Sequence, residues 1–182
     1  MAGSCEVRRL GVDDVGLIAG IDRSEHVEVM YTVAQGRLTE RPVSMTDVPP
    51  WDPVGTGPYS VADKVAFCQP LVAGGAVLLG AFDGERLLGL AVVDGSFEPP
   101  MAWLAFLHVS RPHRRRGVAS ALWGAAVEVA VTAGADSVYV SATPTGSAVG
   151  FYLSRGCELA DPVHPALYAH EPEDIHLLCR LR

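Results

Sequence analysis

Residues Val109 to Leu122 join a strand-like apolar run, Ala102 to Val109, to a helix-like run, Val118 to Val131, through Gly117. The predicted order is strand, glycine turn, helix. A helix start carries unpaired backbone N–H groups and the positive end of the helix dipole, so the loop entering it suits a phosphate. Gly117 and Ala119 leave room for a bulky anion, and Arg114, Arg115 and Arg116 add positive charge. The loop therefore reads as a diphosphate cradle. It lacks the glycine and lysine spacing of a nucleotide P-loop and the three-glycine pattern of dinucleotide folds.

The 182 residues are 49% hydrophobic, enough for one packed core and short for two, so a single domain over 1–182 is expected. Apolar runs such as Leu71 to Phe82 are interrupted by glycine and fall short of a membrane span. With no basic-then-apolar leader, the expected location is cytoplasmic, away from membranes. Cys5, Cys68, Cys157 and Cys179 show no Cys-x-x-Cys spacing, and free thiols are expected rather than a disulfide frame or zinc site. His164, His170 and His176 match no ligand spacing, so no metal is expected. The formal net charge of −7 disfavours nucleic acid as a partner, despite the local basic cluster, and favours a cationic small molecule.

Hydrophobic periodicity and turn chemistry supply the other elements. Glu6 to Leu10 reads as a strand and Val12 to Ile21 as a helix. Val29 to Val33 and Arg37 to Val43 form a hairpin around Gln35-Gly36, followed by a proline-rich stretch, Val48 to Pro58. Residues 24–56 are expected to shape an acceptor site or an oligomer contact, a homodimer being the assembly to look for. Ser60 caps a helix from Val61 to about Val72. Ala76 to Phe82, Arg86 to Asp94 and Ala102 to Val109 are core strands, the first two joined at Asp83-Gly84. The helix after the cradle stops near Gly134. Ser137 to Ala142 is a strand, Ser147 to Arg155 a short helix, Pro162 to Tyr168 a loop, and Asp174 to Leu181 a terminal strand. An α/β fold with helices on both faces of the sheet follows.

Two motifs in order give the chain a family resemblance. Arg114-x-x-Gly117-x-Ala119 fits the Gln/Arg-x-x-Gly-x-Gly/Ala signature of the GNAT superfamily of N-acetyltransferases, which use acetyl-CoA. About 40 residues on, Ala148-x-x-Phe151-Tyr152-x-x-x-Gly156-Cys157 is similar to the family's Ala-x-x-Phe-Tyr-x-x-x-Gly-Phe element, with Cys in the last place. The resemblance covers about 61–157, the motif core, and implies a GNAT-like fold with a mixed, mostly antiparallel central sheet. It also implies that acetyl-CoA, as cosubstrate, lies along the strand ending at Leu107 and Val109. Its diphosphate would meet Arg114, Arg115, Arg116, Gly117, Val118, Ala119 and Ser120, with further contacts at Thr145, where many members carry Asn, and at Ala148. Tyr152 matches the tyrosine that serves as general acid toward the departing sulfur.

The acceptor amine must lose a proton before attack, because an amine of pKa about 10.4 is charged at neutral pH. Relatives place a Glu or His at positions aligning with Trp103 and Ala105, neither of which can take a proton. The candidates for the base are therefore His108, Glu25, His26 and Glu28, with a water chain as the alternative. Strict strand alternation points His108 away from the face of Leu107 and Val109, though a bulge could reverse that. The expected function is N-acetylation of a primary amine by direct attack in a ternary complex. Loose similarity to streptothricin acetyltransferases, in Tyr31 to Val43 and Ala166 to Ile175, tilts the acceptor toward a small cationic amine or aminated antibiotic. Acetylation of a protein lysine or N-terminus, and a non-catalytic acyl-CoA sensor, are the alternatives.

Overall fold

The computed structural model describes residues 5–181, the side chains of 44–46 excepted. In chain order it opens with β1 (Glu6–Leu10), a 3-10 helix (Val12–Gly20), and the hairpin strands β2 (Glu25–Ala34) and β3 (Arg37–Val48). Next come α1 (Val61–Ala73), β4 (Val77–Asp83), β5 (Arg86–Glu98), β6 (Met101–Val109), a single 3-10 turn (Arg111–His113) and α2 (Val118–Thr132). The last part holds β7 (Ser137–Ala142), α3 (Gly146–Leu153), β8 (Glu158–Leu159), α4 (Pro165–His170) and β9 (Ile175–Arg180). Seven strands form one sheet in the order β1-β4-β5-β6-β7-β9-β8, and β2 with β3 form a separate hairpin. Among the described strands of this sheet, only the β6–β7 pairing is parallel.

The core strands read as continuous apolar runs because helices cover both sides of the sheet. Successive residues serve opposite faces, as the pleat requires. Leu79, Ala91 and Val93 pack with Leu122, Ala126 and Val129 of α2 and with Val149 and Tyr152 of α3. Their neighbours Leu78, Leu90 and Val92 pack with Cys68 of α1 and with Val15 and Ile18 of the 3-10 helix. Ser60 caps α1 as its sequence predicts, its hydroxyl accepting from the Asp63 N–H at 3.0 Å. Burial pushes the Cys68 thiol up to about 12, which keeps it protonated and unreactive.

The sheet is whole at one end and split at the other. β6 and β7 pair from Met101 opposite Ser137 to Leu104 opposite Val140 and then part. The register against β5 slips at the same place: Val93 faces Leu104 and Val92 faces Phe106, leaving Ala105 as a bulge. From Ala105 onward β6 is paired with β5 alone, while Ser141 and Ala142 of β7 pair with β9.

Three expectations are corrected. Cys157 and Cys179 form a disulfide rather than remaining free, because Glu158 pairs with Leu178 and the antiparallel register sets the preceding Cys157 opposite Cys179. Pro162 to Tyr168 is not wholly a loop: Pro165–His170 is helical, and Leu167 is buried against Trp103 and Tyr139. The first helix is of the 3-10 kind and ends at Gly20.

Candidate active site

The strand, glycine turn and helix form in the order the sequence predicts. Gly117 is the N-cap of α2 with φ +82°, a left-handed conformation, and a β-carbon there would meet nothing within 4 Å. No side chain caps the helix, so the N–H groups of Val118, Ala119 and Ser120 begin it without a side-chain partner at its cap. Arg115 and Arg116 are exposed beside them. Arg155, which the motifs do not single out, adds a cation: its guanidinium donates to the Ser120 hydroxyl and lies 4.9 Å from the Phe151 ring centre.

Arg114 has a different place. Its guanidinium donates to the carbonyls of Val109 (3.0 Å), Ser24 (3.1 Å) and Arg23 (2.9 Å), and lies 3.8 Å from the Glu25 carboxylate. Ser110 and Arg111 extend this seam, the Ser110 hydroxyl accepting from the Asp22 N–H and the Arg111 N–H donating to the Asp22 carbonyl. The chain that leaves the seam as β2 reaches the other side of the split. There the Tyr31 N–H donates to the Pro144 carbonyl at 2.8 Å, and Met30 bridges Thr145. Thr145 is buried and caps α3, its hydroxyl accepting from the Ala148 N–H at 3.4 Å. Residues 22–31 thus join the diverging ends of β6 and β7.

The four candidate bases do not converge. Glu25 stands against Arg114. His26 is exposed and paired with Asp47 across the hairpin, Nδ1 to carboxylate 2.7 Å. Glu28 is exposed. The bulge leaves Leu107 and Val109 on the α2 side and His108 on the other, its ring 4.9 Å from that of Trp51 and 4.7 Å from that of Phe106. Burial first, then the charges of Arg23, Arg114 and Lys64, push His108 down to about 3 and keep it neutral.

Tyr152 reaches the split from α3 and is only 6% exposed. Burial, followed by the charge of Asp174, raises the phenol above its usual range. Asp174 is the residue that sequence reading missed, since it reads there as the start of a strand. It lies just before β9, whose Ile175 pairs with Ala142 at the end of β7. Burial pushes its carboxyl up to about 7, with Glu171 and Glu173 adding to the shift and Lys64 opposing it.

The three C-terminal histidines pack the wall around α4. His176 bonds the Tyr139 hydroxyl (2.9 Å) and the Glu171 carbonyl (3.0 Å), His164 pairs with Glu98, and His170 stacks on Phe67. No cluster of His, Cys, Asp and Glu among the described residues could hold a metal. Trp51 and Trp103 line the same side, and their indole N–H groups are buried without a protein acceptor among the described residues. The assembly offers an open strand edge, a helix start for an anion, a protonated phenol and a carboxyl titrating near neutrality.

The family model described as acetyltransferase (GNAT) family matches residues 46–157. No curated protein matches the chain. Among solved structures, the chain is similar to nourseothricin acetyltransferase, with 21% identity, all of both chains covered and a TM-score of 0.73. It is also similar to a Bacillus anthracis protein described as a streptothricin acetyltransferase, in complex with acetyl coenzyme A: 13% identity, 98% of this chain and 99% of that one, TM-score 0.68. The PaiA N-acetyltransferase of Thermoplasma acidophilum, in complex with coenzyme A, gives 14% identity over 98% and 99% of the chains and a TM-score of 0.62. At such identities the likeness is one of fold.

Proposed function

The chain belongs to the GNAT acetyltransferase family, and on that premise we propose that it acetylates a small cationic amine, an aminated antibiotic of the streptothricin type foremost. Attack is direct, within a ternary complex. The observation that carries this reading is the juxtaposition, at one split in the sheet, of the free edge of β6, the open start of α2 and the Tyr152 hydroxyl.

Acetyl-CoA, the donor, supplies an acetyl group already activated as a thioester. The residues present fit it. Leu107 and Val109 lie on a strand edge that can accept an extended chain as an added strand. Val118, Ala119 and Ser120 offer backbone N–H groups to the diphosphate, Gly117 leaves space, and Arg115, Arg116 and Arg155 supply charge. Arg114 holds the loop from the side, and Thr145 and Ala148 fix the start of the helix that carries Tyr152. The Tyr152 phenol stays protonated and donates to the departing sulfur. Support for a cationic acceptor comes from the net charge of −7, the acidic residues beside Tyr152 and the likeness of fold to nourseothricin acetyltransferase.

The test is incubation with acetyl-CoA and nourseothricin, followed by thiol release and the mass of the product. Gain of one acetyl group on the antibiotic is the expected result. Tyr152→Phe is expected to lower kcat about 100-fold with little change in acetyl-CoA affinity. Acetylation of peptide amines alone would move the acceptor to the protein class, and binding of acetyl-CoA without transfer to any amine would leave only a sensor.

A further inference from the structure

We propose that Arg23 binds a carboxylate carried by the acceptor, its guanidinium held against Trp51 and Tyr59 where two cavities meet beside the end of β6. The inference rests on the acetyltransferase reading above and widens its acceptor. An amine that also bears a carboxylate, as an amino acid does, becomes a substrate class alongside the wholly cationic one.

Position comes first. The Arg23 carbonyl accepts from Arg114 at 2.9 Å, and the same Arg114 guanidinium bonds the Val109 carbonyl at 3.0 Å, so the backbone of Arg23 is fixed next to the end of β6. Its side chain turns to the proline-rich segment. Nε donates to the Pro49 carbonyl at 3.0 Å, and the guanidinium carbon lies 5.7 Å from the Trp51 ring centre and 5.1 Å from that of Tyr59. Aromatic rings hold a guanidinium by its faces and leave its edge free for hydrogen bonds.

That edge has no anion of its own. Arg23 is half-buried and belongs to none of the ion pairs among the described residues. The neighbouring carboxylates are engaged elsewhere, Asp22 accepting from the Ser24 N–H at 2.9 Å and Glu25 lying 3.8 Å from Arg114. Trp51 gives a second, independent sign: it is 5% exposed, and its indole N–H is buried with no acceptor among the described residues. A guanidinium and an indole only donate. Buried donors without partners cost stability, and here the partner has to come from outside the fold.

Room for that partner lies on both sides of Arg23. A cavity of about 550 Å³ is lined by Ser24, Pro49 and Arg111, a second of about 220 Å³ by Asp22 and Trp51, and Pro50 lines both. Arg111 is two residues past Val109, which brings the larger cavity to the end of the strand edge proposed for the donor. The charges acting on His108, whose ring lies 4.9 Å from that of Trp51, are Arg23, Arg114 and Lys64. All are positive, so this end repels an ammonium and attracts an anion. A planar carboxylate matches the guanidinium edge through two parallel hydrogen bonds. Asp22 and Glu25 on the cavity walls disfavour a doubly charged phosphate.

Two measurements on the full chain, with folding of each variant checked by its thermal melt, test the assignment. In the presence of coenzyme A, the 15N–1H signal of the Trp51 indole should shift saturably with hexanoate and not with hexanamide at the same concentrations. Arg23→Gln should weaken hexanoate binding about 10- to 100-fold, and Arg23→Lys should keep only part of it, because an ammonium lacks the fork. With saturating acetyl-CoA, 6-aminohexanoate should be acetylated with kcat/KM at least about tenfold above that of 6-aminohexanamide, the difference lying in KM and vanishing in Arg23→Gln. Equal responses to hexanoate and hexanamide, or hexanoate binding unchanged in Arg23→Gln, overturn the proposal. If no amine is acetylated yet hexanoate binds through Arg23, the function proposed above fails and the carboxylate site stands. If both amines are acetylated equally and hexanoate does not bind, the function stands and the carboxylate site falls.

Discussion

Asp174 loses hydration when the chain folds, and the folded state therefore prefers it protonated. Its carboxyl titrates near 3.9 in an unfolded chain and at about 7 in the folded one. The stability it contributes is fully present below about pH 4 and is lost as pH rises through about 7. Asp174→Asn should thus melt above the wild type at pH 8, with the gap closing as pH falls toward 4. Thermal melts across that range check the sign, and a gap that widened on acidification would contradict the burial of Asp174. None of this is legible in the sequence, where Glu171 to Asp174 is one more polar turn. Tyr152 is legible, because a motif with fixed neighbours carries it. The raised carboxyl of Asp174 comes first from burial, and burial belongs to tertiary structure.

Elements whose sequence carries both a pattern and a punctuation mark are the ones that can be read in advance. Ser60 marks α1, Asp83-Gly84 marks the turn between β4 and β5, and Gly117 marks α2. α4 has only six residues, and its helix is stabilised by docking Leu167 on Trp103 and Tyr139, which no local pattern announces. β8 has two residues and exists only through β9, so the disulfide that its register creates was equally hidden. Gly117 offers the sharpest element-scale test. Nothing crowds a side chain there, so the strain of Gly117→Val comes from φ +82° alone, a cost of about 1–3 kcal/mol. The variant should fold with a lowered melting temperature and lose coenzyme A binding by calorimetry. Undiminished affinity would remove the cradle from the donor site.

Across the whole molecule, two arrangements meet at one seam. The sheet opens between β6 and β7, and residues 22–31 close the opening from the β6 end to the β7 end. Arg114 belongs to the signature proposed to place the donor, yet its guanidinium is spent on carbonyls of Arg23 and Ser24 in the segment that spans the split. On the proposed reading, a loop that settles around the diphosphate would be expected to pull on that segment. Thermodynamic linkage then imposes symmetry: the factor by which coenzyme A tightens the amine is the factor by which the amine tightens coenzyme A. Arg114→Ala should bring that factor toward one while both molecules still bind, and titrating each in the presence of the other measures it. An unchanged factor would locate the coupling away from Arg114. A factor other than one would mean that an affinity for either substrate has meaning only when the occupancy of the other is stated.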